Sequence, residues 1–392
     1  MTEDRLTRWR MVLGGGDADG IRDSAGAEDV QLSTDDQIRD RALSELYDGR
    51  RRGGLGASAP RVARWLGDIR GYFPSSVVQV MQRDAMDRLG LHQLLTEPEM
   101  LESVQPDVGL VSTLMGLNRV IGERSRAAAR QVVRTVTDEL EDRLAAATVQ
   151  AVNGALNRAA KTRRPRHSDI DWGKTIAANL RHYLPEYRTV VPERLIGHGR
   201  RSQQVQRRIV LCIDQSGSMA SSIVYASVFG AVLASLKSVA TSLVVFDTSV
   251  VDLTDEMEDP VDVLFGVQLG GGTDINQALA YCQGLIEQPD ETVLILISDL
   301  YEGGIAEEML RRSKQVVDTG ATMIALLALS DDGAPSYDSE HAAALSQIGV
   351  PAFACTPDLF PDLMATAIDR RDIAGWAAEN DIVLAAPTDE DE

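Results

Sequence analysis

Over the second half of the chain, short unbroken runs of apolar residues alternate with stretches in which apolar positions recur every three or four residues. The runs lie at 208–213, "TSLVVF" (241–246), "TVLILIS" (292–298), "TMIALLAL" (322–329) and "AFAC" (352–355). Runs of this length are those of strands covered on both faces. Helical patterns separate them, at 222–238, 260–267, 274–287, 304–317, 338–347 and 357–370. Strands alternating with helices predict a largely parallel sheet with helices on both sides. One further strand, "SVVDL" (249–253), follows "FDTSV", a connection short enough for a tight turn, so it is predicted as an antiparallel edge strand.

The first half carries the helical period alone. "APRVARWLGDIRGYF" and "SSVVQVMQRDAMDRLGL" have apolar residues three and four apart, and in the second Val77, Val78, Met81, Ala85 and Leu89 share a face. "PDVGLVSTLMGLNRVIG" repeats the pattern. From Arg124 to Ala160 there is no proline and one glycine, with Val133, Val136, Leu140, Leu144, Ala147 and Leu156 as a stripe. Unbroken, such a helix would be about 55 Å long, and Gly154 is where it could divide. The expectation is an all-α N-terminal region followed by a doubly wound α/β domain.

Charge sharpens that division. Residues 1–209 hold 33 Lys+Arg against 28 Asp+Glu, while 210–392 hold 6 against 31. A break of this size places a boundary near residue 209. The expected organisation is 1–55 as a partly helical segment, 56–200 as a helical domain with a basic connector, 207–370 as the α/β domain, and 371–392 as an extension with the acidic tail "PTDEDE". The basic stretch 158–208, with 13 Lys+Arg and 4 Asp+Glu, can pack on the acidic half of its own chain, dock an acidic partner or bind RNA. Its aromatics are sparse (Trp172, Tyr183, Tyr187), which counts against single-strand stacking.

Composition excludes several classes. No stretch reaches eighteen consecutive apolar residues, so no membrane span is expected. The start, "MTEDRLTRWRMVLGGGDADG", lacks the apolar core of a secretory signal. Three scattered cysteines, Cys212, Cys282 and Cys355, form neither a disulfide framework nor a zinc motif. Cys212 and Cys282 are expected as small core residues and Cys355 as the one candidate reactive thiol. A cytoplasmic location is expected.

The chemistry gathers where strands end. "IVLCIDQSGSMASS" (209–222) closes an apolar run with Asp214, Ser216 and Ser218 on alternate residues. "LGGGTDI" supplies Thr273, and "LISDL" supplies Asp299. In open sheets of this kind, ligands bind at the carboxyl ends of the strands, where strand order reverses. Two carboxylates and three hydroxyls form an oxygen-only donor set, suited to Mg²⁺ or Mn²⁺ and wrong for zinc or copper. Gly270, Gly271 and Gly272 are expected to take positive φ. Asp274 and Gln277 have capping-box spacing for the following helix. Taken alone, the two serines could instead cap the helix that begins near 222.

"DQSGSM", "GGGTD" and "ISDL", in this order, resemble the metal-ion-dependent adhesion site of von Willebrand factor type A (VWA) domains over about residues 207–370. The resemblance implies a VWA fold, with Asp214, Ser216, Ser218, Thr273 and Asp299 as ligands of Mg²⁺ or Mn²⁺, and an acidic residue of a partner completing the coordination. The helical region ahead of a C-terminal VWA domain also resembles the bacterial CoxE-like branch. That likeness implies partnership with a MoxR-type AAA+ ATPase and a non-enzymatic adaptor role in remodelling or maturation. Enzyme motifs are missing. Asp214 stands where G-x-S-x-G needs glycine, and "GGGTD" has no P-loop lysine. An aspartyl-phosphate site would want a second Asp at Ser216.

Overall fold

The structure, a computed structural model, describes residues 33–47, 59–89, 95–118, 120–159, 170, 172–195, 207–267, 270–331 and 336–385. It divides into two compact units, Met1–Val136 and Thr137–Glu392.

The first unit is helical: α1 (Thr34–Tyr47), α2 (Ala59–Tyr72), α3 (Ser75–Leu89), α4 (Pro98–Ser103), α5 (Val108–Leu117) and the first part of α6 (Glu123–Ala159). Its core collects Trp65, Leu66, Ile69, Met81, Leu95, Met100 and Val111. Buried polar groups are paired, as burial requires. Trp65 Nε1 donates to the Ala42 carbonyl at 2.9 Å, and the Gln82 amide exchanges two bonds with the Gln105 backbone. Val78, Met81 and Ala85 face inward as expected, whereas Val77 is exposed.

Helix α6 runs through Gly154 without interruption, and the unit boundary falls within it. Its buried stripe is Ala129, Val133, Val136, Leu140, Leu144, Thr148, Val152 and Ala155. Thr148 replaces the expected Ala147, which is exposed. A strict four-residue step from Leu144 leads to Thr148, and its hydroxyl is satisfied by the Leu144 carbonyl at 2.8 Å.

In the second unit, α7 (Trp172–Ala178) leads into a small hairpin of β1 (Tyr183–Leu184) and β2 (Thr189–Val190). Two-residue strands leave no alternation to detect, and this hairpin was not expected within the helical region. Residues 160–169, 171 and 196–206 of the basic connector, the first 32 residues and the acidic tail lie outside the described residues. Of the connector's cations, Arg207 pairs with Glu291 and Arg208 with Glu287, both acids of the same chain.

The main sheet has six strands: β3 (Arg207–Asp214), β4 (Val239–Phe246), β5 (Val250–Asp252), β6 (Thr292–Ile297), β7 (Thr322–Leu329) and β8 (Ala352–Cys355). Their order is β5-β4-β3-β6-β7-β8, parallel throughout except the antiparallel β4–β5 edge. The expected architecture is therefore present, a mostly parallel α/β sheet with one antiparallel edge strand. The connecting helices are α8 (Ala220–Ala234), α9 (Pro260–Gly266), α10 (Ile275–Leu285), α11 (Ala306–Asp318), α12 (Ser339–Gln347) and α13 (Phe360–Ile368), and α14 (Ile373–Glu379) follows them.

Alternation along the strands assigns two faces. Val210, Cys212, Val244, Leu294 and Leu296 share a core with Ile275, Leu279 and Cys282 of α10, Met309 of α11 and Leu345 of α12. On the other face, the side chains of Leu211 and Leu243 lie against Gly230 of α8. Residues Gly217–Ala234 are long and apolar enough for a membrane span by composition, but 72% of them are buried, so they serve as a core helix of this sheet.

Candidate metal centre

Strand β3 is where the chain changes direction across the sheet: the next strand, β4, pairs on one side and β6 on the other. Asp214 pairs with Phe246, and Ile213 with Ile297. The β3 and β6 ends therefore bring Asp214 beside Ser298 and Asp299, at the reversal point of strand order.

Four of the five expected site residues join in one hydrogen-bonded set. Asp214 is fully buried. Its Oδ1 accepts the Ser216 N–H at 2.8 Å and its Oδ2 accepts the Ser298 hydroxyl at 2.8 Å. Ser216 Oγ and Ser218 Oγ lie 3.0 Å apart, and Ser218 Oγ donates to Asp299 Oδ2 at 2.5 Å. With the Ser218 proton committed to Asp299, Ser216 is the donor between the serines. Neither serine caps a helix: the turn Gly217–Met219 and α8 both start without a side-chain cap. The hydroxyls face each other and Asp299 instead.

The fifth residue, Thr273, is held alongside by its backbone. Its carbonyl accepts the Gly303 N–H at 2.8 Å, four residues beyond Asp299, and its hydroxyl is not among the bonds that link the other four. Gly270 and Gly271 take φ of +100° and +130°, as expected. Gly272 does not. Its constraint is space, since a Cβ there would come within 3.1 Å of the Thr248 methyl. Asp274 caps α10 by accepting the Gln277 N–H at 2.8 Å.

Two functional neighbours escaped the sequence reading. Ser298 is the buried hydroxyl that orients Asp214; it also accepts the Leu300 N–H at 3.0 Å. Glu302 accepts the Ile275 N–H at 2.7 Å and the Gly304 N–H at 2.9 Å, tying the start of α10 to the loop after β6. Ser298 is the last residue of an apolar run, and only its position just before Asp299 marks it. Burial is the main force raising the Glu302 carboxyl above its usual range.

Electrostatically the cluster favours a cation. Burial raises the Asp214 pKa to about 6; the Asp299 charge adds to the rise, and the Ser216 N–H and Ser298 hydroxyl oppose it. A hard divalent cation would relieve both the desolvation and the repulsion between the carboxylates. A hydroxyl that gives a lone pair to a cation keeps its proton, so the Ser218–Asp299 bond is compatible with ligation. The donors present thus fit Mg²⁺ or Mn²⁺. Cys355 lies elsewhere and is buried, its thiol pushed up to about 12; it does not have the lowered pKa of a reactive cysteine. A cavity of about 650 Å³ lined by Val317, Met323, Ile373 and Leu384 sits at the amino end of β7, away from this cluster.

The family model for VWA domain containing CoxE-like protein matches residues 141–364. The uncharacterized protein YehP of Escherichia coli (strain K12) is 36% identical over 391 residues, covering 97% of each chain. Among solved structures, a von Willebrand factor type A protein from Catenulispora acidiphila aligns with a TM-score of 0.34 and 14% identity, over 42% of this chain and 43% of that one. The conserved hypothetical protein BatB from Bacteroides thetaiotaomicron aligns with a TM-score of 0.33 and 14% identity, over 43% of this chain and 99% of that one. A family match across more than half the residues, joined to a relative aligned along nearly the whole length, places the chain in the VWA domain containing CoxE-like protein family.

Proposed function

We propose that this protein is a non-enzymatic adaptor that binds a carboxylate of a partner protein through a divalent cation. Asp214, Ser216, Ser218, Thr273 and Asp299 hold the ion, Mg²⁺ or Mn²⁺, directly or through water. When bound, the ion supplies a Lewis-acidic position for an incoming acid. One observation carries the reading: a buried carboxylate with a raised pKa accepts the Ser216 N–H, and the Ser216 and Ser218 hydroxyls lead on to a second carboxylate.

The chain's own residues prepare that position. Ser298 and the Ser216 N–H fix the Asp214 carboxylate, and the Gly303 N–H fixes the Thr273 loop. Neutral hydroxyls make up most of the donor set, so the ion keeps positive charge for an external acid. Asp214 is buried with both oxygens engaged, an arrangement that disfavours it as the attacking nucleophile of a phosphoryl enzyme.

Isothermal titration of Mg²⁺ against wild type and a Ser216→Ala/Ser218→Ala variant tests the reading. Binding to wild type and none to the variant is expected; equal affinities overturn it. The partner, by family likeness, is a MoxR-type AAA+ ATPase. Its recovery in pull-downs should need Mg²⁺ and be lost in Asp214→Ala, and equal recovery would remove the ion from the contact.

A further inference from the structure

The chain leaves Asp299 by an unusual route. Leu300 has φ of +64°, a left-handed conformation that costs a leucine about 1–2 kcal/mol. The surroundings hold it there. Its side chain is buried in the sheet core, its N–H donates to Ser298 Oγ at 3.0 Å, and its carbonyl accepts the Glu302 N–H at 2.9 Å and meets His341 Nδ1 at 3.0 Å. Strain maintained this way marks a position whose geometry is used.

The result is a turn that buries Leu300 and throws the next side chain outward. Tyr301 is 50% exposed, two residues from Asp299, and its N–H points toward Asp299 Oδ1 at 3.4 Å. The Tyr301 hydroxyl is 2.6 Å from Ser336 Oγ, and the same segment returns to Asp299 through Asp338 N–H, which donates to the Asp299 carbonyl at 2.8 Å. Tyr337, 37% exposed, lies between those two anchors. Two tyrosine side chains thus stand exposed on the two loops joined at Asp299, tied to each other through Ser336. A lone exposed apolar residue needs no explanation, but a group beside a polar site indicates a contact surface.

We infer that the group taken by this site is a carboxylate carried next to an apolar side chain, with Tyr301 and Tyr337 forming the shelf for the apolar part. This rests on the carboxylate-binding reading above and adds to it the chemistry of the partner. Tyrosine suits the task, since it offers a broad rigid face with few rotatable bonds while its hydroxyl stays paired with Ser336. A partner presenting an acid alone would leave the shelf wet. One presenting an acid beside a branched aliphatic or aromatic residue would cover it.

The test uses Mn²⁺-loaded full-length protein and two probes, acetate and 4-methylpentanoate, with water-proton relaxation reporting displacement of Mn²⁺-bound water. Covering about half of the four additional carbons on the shelf is worth roughly tenfold in affinity. Wild type should therefore prefer 4-methylpentanoate by about tenfold. Tyr301→Ala should bring the ratio of the two affinities close to one, and Tyr301→Phe, which keeps the ring, should preserve most of it. Equal affinities in wild type, or an undiminished ratio in Tyr301→Ala, overturn the shelf while leaving the carboxylate reading intact. If Mn²⁺ does not bind, or neither acid displaces water, the carboxylate reading and the shelf fall together.

Discussion

The hydroxyl of Ser218 donates to Oδ2 of Asp299 at 2.5 Å, a bond between residues 81 positions apart in the chain. It joins the loop after β3 to the loop after β6 and sets the serine oxygens against the second carboxylate. A hydrogen bond to a charged group contributes about 1.5–3 kcal/mol. Ser218→Ala is expected to weaken Mg²⁺ binding by at least tenfold, and Ser218→Thr, which keeps a hydroxyl, to recover part of the loss. Calorimetric titration of both variants checks this, and an alanine variant with wild-type affinity would show that the bond has no part in holding the ion.

Asp214 predicts a pH dependence with a definite sign. Burial, aided by the Asp299 charge, lifts its pKa from 3.8 to about 6 in the fold. The metal-free folded protein therefore holds a proton that the unfolded chain has released. The stability from this group is full below about pH 4 and is lost as pH rises through about 6, a change of about 3 kcal/mol. Bound Mg²⁺ should offset that loss, and protons should compete with it below about pH 6. Thermal unfolding should then show a clear rise in Tm on adding Mg²⁺ at pH 7.5 and a much smaller rise at pH 5. Asp214→Asn should raise the metal-free Tm at pH 7.5 and abolish the Mg²⁺ response; equal Mg²⁺ shifts at both pH values would contradict the assignment.

Ser298 is buried between two groups that depend on it, the Asp214 carboxylate and the Leu300 N–H. Ser298→Ala removes a donor to the first and an acceptor for the second at a fully buried position. Leaving buried polar groups unpaired costs about 1–3 kcal/mol each. Urea unfolding should show a loss of roughly 2–4 kcal/mol, together with weaker Mg²⁺ binding because Asp214 is no longer held. Ser298→Thr keeps the hydroxyl and provides the comparison; an alanine variant as stable as wild type would remove Ser298 from the supporting framework.

The elements of the second half were legible because fully buried strands leave unbroken apolar runs. The runs Ile209–Ile213 and Val293–Ile297 are bounded by polar residues on both sides and too short for a buried helix. Residues defined by partners distant in sequence were less visible. Ser298 reads as the end of a strand, and Glu302 as one more acid in an acidic loop, until the fold places them against Asp214 and Ile275. Helix α14 buries Ile373, Trp376 and Ala377, but its seven residues after "DRRD" make only about two turns, too few to establish a period. Positions at strand ends made it possible for Asp214, Ser216, Ser218, Thr273 and Asp299 to meet, and the resemblance to a VWA metal site named them together. Thr273 differs because a backbone bond, from the Gly303 N–H to its carbonyl, ties its loop to the segment after Asp299, and no side-chain pattern encodes that.

That backbone bond supplies a further test. A Cβ at Gly303 would lie 2.7 Å from the Thr273 carbonyl oxygen, closer than real Cβ contacts, and the obstacle is main chain that cannot rotate away. Gly303 φ is not positive, so the conflict is one of space rather than backbone preference. Gly303→Ala must push the Thr273 loop outward and stretch the Gly303 N–H bond to Thr273, at a cost of about 1–3 kcal/mol. Gly217, between the two site serines, makes the contrast: nothing lies within 4 Å of its Cβ position, and Gly217→Ala should change stability by less than about 0.5 kcal/mol. Denaturant unfolding ranks the two variants. Mg²⁺ titration of Gly303→Ala then asks whether moving the loop weakens the ion's hold, as it must if Thr273 takes part. A Gly303→Ala protein that is less stable yet binds Mg²⁺ as wild type does would leave the other four residues as the whole of the site.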